Sequence, residues 1–110
     1  MAHQRSMSKM RRLEMMVETT HVPAVLEVIM KHASGYSLVP NVTGFGRHGY
    51  HPGDITLVVT ITTSDHVDRI VDGVLPLLNQ ESGVVLVTDV LVARVEHFVP
   101  EMQQPTKVGI

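Results

Sequence analysis

Apolar and polar residues alternate over residues 13–19, where Leu13, Met15 and Val17 interleave with Glu14, Met16 and Glu18. A period of two predicts a strand with one buried face. Val22, Val25, Leu26, Ile29, Met30 and Ala33 then recur at helical spacing, which predicts an amphipathic helix. Pro23 suits its first turn, where a missing N–H costs nothing, and Gly35 is the expected stop. Residues 36–43 read as a strand interrupted by Pro40, which removes a ladder donor and predicts an edge or a bulge. Residues 54–63 are rich in β-branched side chains, the strongest strand signal in the chain. Their aliphatic set, Ile55, Leu57, Val59 and Ile61, is expected to face the core. Thr56, Val58, Thr60 and Thr62 would then face outward.

A second helix is expected from Val67, Ile70, Val71, Val74, Leu75 and Leu78, capped by Ser64 or Asp65. Gly73 and Pro76 predict that its second half bends or tightens. Residues 84–95 form the last strand, whose alternation slips near Thr88 and Asp89 and predicts a bulge. The order β-α-β, β-α-β predicts an α+β, ferredoxin-like βαββαβ fold, with a four-stranded antiparallel sheet and both helices on one face. Residues 1–10 read as a flexible N-terminal arm, 11–97 as the domain and 98–110 as a mobile C-terminal tail. An open face carrying Val58, Met16 and threonines is too apolar to stay wet, which predicts a homo-oligomer.

Composition narrows the partners. The chain has 110 residues, 44% of them apolar, and a formal charge of −2, enough for one core and without long-range attraction for polyanions. Nucleic acid and membrane insertion are therefore not expected, and aromatic residues to stack RNA bases are few. No stretch reaches the roughly 20 apolar residues of a membrane helix, and residues 1–12 lack the apolar region of a signal peptide. The absence of cysteine removes thiol chemistry and fits a cytoplasmic protein.

Candidate chemistry centres on Gly44-Phe45-Gly46-Arg47-His48-Gly49, which has the letters of the G-x-G-x-x-G dinucleotide fingerprint. That motif requires a helix immediately after it, whereas Tyr50-His51-Pro52-Gly53-Asp54 leads into a strand. A Rossmann turn is excluded, and the chain contains no G-x-x-x-x-G-K-[ST] loop. Two readings of the glycines stay open. Their backbone N–H groups beside Arg47 could form an anion-binding nest, or the glycines simply make a flexible connection.

The run Gly35-Tyr36-Ser37-Leu38-Val39-Pro40-Asn41-Val42-Thr43-Gly44-Phe45-Gly46-Arg47 resembles the second strand of the PII signalling proteins, and Val90-Leu91-Val92-Ala93-Arg94-Val95 resembles the end of their fourth. PII proteins are trimeric ferredoxin-like regulators that bind adenine nucleotides between subunits. The resemblance implies a nucleotide beside Gly44, Phe45, Gly46 and Arg47, with Ser37 and Leu38 near the adenine and Arg94 reaching phosphate. The chain departs from the family in three places. The long T-loop is reduced to residues 47–53, Gln80-Glu81-Ser82-Gly83 replaces a lysine-bearing phosphate loop, and Glu96 replaces a second arginine. Fewer cations favour ADP or AMP over ATP. The trimmed pattern is similar to carboxysome-associated PII-like proteins, which sense adenine nucleotides and bicarbonate. That likeness implies a bicarbonate site at Arg47, His48, Tyr50 and Gly53, in a loop that becomes ordered on binding. The implied partner is a bicarbonate transporter or carboxysome component.

The seven histidines raise the alternative of a small enzyme or metal-binding trimer, with His48 and His51 close enough to chelate but without a third ligand of evident spacing. His32 and His66 read as surface residues, and His97 as the end of the last strand. Asp65, Asp68, Asp72 and Arg69 form a solvated helix face. No catalytic triad or paired carboxylate stands out, and the function the PII resemblance implies is a non-enzymatic sensor without cofactor or metal.

Overall fold

Strand β1 (Ser8–Glu18) starts earlier than the alternation alone suggests, because Met10 is buried and pairs with Val90 on the last strand. The structure, a computed structural model, describes residues 7–46, 49–79 and 83–94. After β1 come a single 3-10 turn, α1 (Val22–His32), β2 (Ser37–Gly46), β3 (Gly49–Thr62), α2 (Ser64–Val74), a second 3-10 turn (Leu75–Leu77) and β4 (Val85–Val92). The strands form one sheet in the order β2-β3-β1-β4, with every neighbouring pair antiparallel. This is the expected ferredoxin-like βαββαβ arrangement. The tightening predicted at Pro76 is the second 3-10 turn.

The two faces of β3 are reversed from expectation. Leu13, Met15 and Val17 do face the helices, and they pair with Thr60, Val58 and Thr56. The threonine set is therefore buried, while Ile55, Leu57, Val59 and Ile61 are only half-buried on the open face. Hydrogen bonding explains the choice. Thr60 Oγ1 donates to the Gly35 carbonyl at 2.7 Å and Thr62 Oγ1 donates to that of His32 at 3.2 Å. Thr56 meets Thr19 Oγ1 at 3.0 Å. Each hydroxyl has a partner, so burial carries no unsatisfied-polar cost.

The same contacts end α1. Its chain turns out at Ala33, which is extended, and Gly35 takes no left-handed conformation. The expected glycine stop is replaced by side chains from β3 and α2, which accept the role of satisfying the last carbonyls. The helices bury Val22, Val25 and Ile29 of α1 and Ile70 and Val74 of α2. They approach closely where Gly73 meets Val28, since a Cβ at Gly73 would lie 2.6 Å from Val28 Cγ1. At the start of α2 the N-cap is Thr63, without a side-chain cap bond, rather than Ser64 or Asp65.

Strand β4 has no bulge: its pairing with β1 runs unbroken from Val85 to Val92. Its apparent slip at Asp89 is an exposed polar position, held by Arg11 across the ladder at 2.9 Å. Bulges occur instead between β2 and β3, where the register shifts twice. Pro40 and Asn41, the latter at φ 58°, occupy the first shift, and Pro52, Gly53 and Asp54 the second. Both prolines thus sit where no ladder donor is required.

Candidate functional site

Beyond the second bulge, Gly44 pairs with His51, Phe45 with Tyr50 and Gly46 with Gly49. Residues 49–53 are therefore strand, and the expected loop over 47–53 is corrected to a link of two residues, 47–48. Ladder pairing satisfies the backbone groups that the loop reading left free. An order transition of Tyr50 and Gly53 on ligand binding is accordingly not needed, because their backbone already lies in β3. Phe45 is 84% exposed, an apolar surface at the far end of the ribbon. Arg47 and His48 lie outside the described residues, as do Gln80, Glu81, Ser82, Glu96, His97, the first six residues and the C-terminal tail.

The remaining expected site residues do not converge within one chain. Gly46 stands where β3 begins, and the antiparallel ladders put the end of β4 at the opposite end of the sheet, beside the start of β1. Strands β2 and β4 are also opposite edges. Arg94, exposed just past β4, is therefore at the corner diagonal to Gly44, Phe45 and Gly46. These groups can share a ligand only across two copies of the chain. Ser37 pairs with Val59 and Leu38 with Val58, so their side chains take opposite faces of β2. A base at this strand can meet the side chain of one of them, not both.

His66 was expected at the surface, yet its side chain is only 16% exposed. Its Nδ1 lies 2.9 Å from the His32 carbonyl, so this nitrogen carries the proton and donates. The two rings meet edge to face at 6.2 Å. Only the tertiary approach of the two helix ends creates this pair, and no local signal in the sequence marks it. Among the described residues no three His, Cys, Asp or Glu side chains form a metal-binding group.

The Thr63 hydroxyl bonds to Asp65 and holds its carboxyl below the usual range; slight desolvation opposes this, while its own N–H, His66 and Arg69 add to it. A lowered folded-state value stabilises the fold above the unfolded carboxyl's range, and the contribution is lost as pH falls through the folded value. Thr63→Val is expected to raise the Asp65 value toward normal, as read by a carboxyl-carbon NMR titration. An unchanged titration would show that the hydroxyl does not set it.

Comparison with known proteins gives the fold its family. The sequence profile of nitrogen regulatory protein P-II matches residues 10–97. The chain belongs to the P-II family. Among solved structures, a P-II-like protein from Thiomonas intermedia, bound to ADP, AMP and bicarbonate, is 23% identical with a TM-score of 0.78, covering 86% of this chain and 98% of its own. A second structure of that protein with the same ligands is 25% identical with a TM-score of 0.70, covering 78% and 97%. The divalent ion tolerance protein CutA1 from Ehrlichia chaffeensis is 11% identical with a TM-score of 0.61, covering 80% and 84%, and shares the fold alone. No curated protein matches the sequence. Among the described residues of this P-II chain, no helix is long and apolar enough to cross a membrane.

Proposed function

We propose that this P-II chain is a cytoplasmic, non-enzymatic sensor that binds ADP or AMP in preference to ATP at clefts between protomers of a homotrimer. The observation that carries the reading is Gly44-Phe45-Gly46 at the end of β2 in a P-II sheet, diagonal to Arg94. A ligand held by both must lie between copies. Arg47 serves its phosphates from one protomer, and Arg94 serves them from the next. Bicarbonate, present with ADP and AMP in the similar Thiomonas protein, is the proposed second ligand, taken by Arg47, His48, Tyr50 and Gly53. Ligand state is passed through the short T-loop to a partner in inorganic-carbon uptake or carboxysome function.

Calorimetric titration with AMP, ADP and ATP, each with and without bicarbonate at fixed pH and ionic strength, tests this. AMP or ADP is expected to bind more tightly than ATP, and bicarbonate to tighten that binding. Linkage then requires the nucleotide to tighten bicarbonate equally. Arg94→Ala is expected to weaken nucleotide binding about tenfold, the size of one charge-assisted hydrogen bond. No heat and no thermal stabilisation with any nucleotide would sink the reading.

A further inference from the structure

A cavity of about 330 Å³ opens at the start of β1, lined by Lys9, Met10, Arg11, Ser64, Asp89, Val90 and Leu91. Its size is at the small end for organic ligands. Leu91, paired with Lys9 on the helix-bearing face, gives the cavity an apolar wall, while Met10, Val90, Val92 and Ile61 pack behind the ladder on the sheet's other face. The other wall is cationic. Arg11 is tied to Asp89 at 2.9 Å through one guanidinium nitrogen, which orients the fork and leaves further N–H groups to donate. Lys9 makes no ion pair among the described residues. Two cations against one carboxylate leave the lining with a formal charge of +1, in a chain whose net charge is −2.

We propose that this cavity binds a small organic anion, a carboxylate with a short apolar arm, with Lys9 as its principal charge partner. The carboxylate takes Lys9 Nζ and the free N–H groups of Arg11, and the Ser64 hydroxyl can donate to it. The arm lies against Leu91, which is 61% exposed. Lys9 precedes the part of the chain that matches the P-II profile, residues 10–97. The site is tested without nucleotide, so its failure and that of the nucleotide reading are distinguishable.

The probe is sodium hexanoate, titrated at constant ionic strength into the full-length, isotopically labelled protein and followed by amide NMR. Saturable shifts are expected at residues 9–11, 64 and 89–91. Lys9→Gln is expected to weaken binding about tenfold, and His21→Gln, beyond the far end of β1, to leave it unchanged. Neutral hexanol is expected to bind more weakly than hexanoate. Shifts that do not saturate at millimolar hexanoate, equal binding by hexanol, or equal loss in the Lys9 and His21 variants would each overturn the proposal.

Discussion

A single carboxylate at Leu57 is expected to separate the proposed homotrimer into folded single chains. Leu57 is half-buried on the open face, where it pairs with Met16 on β1 and Val39 on β2. Both neighbours are 48% exposed in the isolated chain. Ile55, Val59 and Ile61 continue the apolar surface along β3, while Leu86 on β4 is set apart from it by Glu14, which pairs with both Val59 and Leu86. A contiguous patch of this kind marks an interaction surface rather than a wet one. In Leu57→Asp the charge would have to leave water at each copy of the interface, at a cost of roughly 3 kcal/mol or more per protomer. Light scattering should then report the mass of one chain where the proposed native trimer would give three. Circular dichroism should be nearly native, because the helix-facing core does not include Leu57. A variant that keeps the native mass would remove the open face as the interface.

The second large effect is expected at Gly73. A Cβ there would meet Val28 Cγ1 at 2.6 Å, and a β-branched valine in a helix has one strongly preferred rotamer in which to move. Gly73→Val adds two more carbons and is expected to destabilise the domain by about 1–3 kcal/mol, the range for overpacked cores. Gly73→Ala should cost less, since replacing a helical glycine returns up to about 1 kcal/mol of propensity. Urea unfolding of both variants, each repeated in a Val28→Ala background, isolates the contact. Recovery of stability in the double variant is the expected coupling. Equal cost in both backgrounds would place the strain elsewhere.

The strand ends that carry the proposed nucleotide site were legible in the chain. Gly44, Phe45 and Gly46 stand at the end of β2 as their resemblance to the P-II strand implied, and Arg94 follows β4. Their diagonal placement was not legible, because it depends on the ladder directions and strand order, which residues far apart in sequence set together. The glycine-rich run misled for a related reason. Glycine permits a loop but does not require one, and opposite Gly49, Tyr50 and His51 its backbone gained ladder partners. The cavity at Lys9 had no sequence signal, since its lining comes from β1, β4 and the start of α2.

Hydrophobic period by itself determined the elements and their order. The buried stripes of α1 and α2 and the inward face of β1 are where Val22, Val25, Ile29, Ile70, Val74, Leu13, Met15 and Val17 predicted them. Those positions have a polar alternative on the other face, so the local pattern leaves one choice. Strand β3 offers two apolar or hydroxyl-bearing faces, and period cannot rank them. Tertiary structure decided that choice by supplying carbonyls at His32 and Gly35 and the Thr19 hydroxyl to the threonines. With those hydroxyls satisfied inside, the aliphatic set was left on the open face.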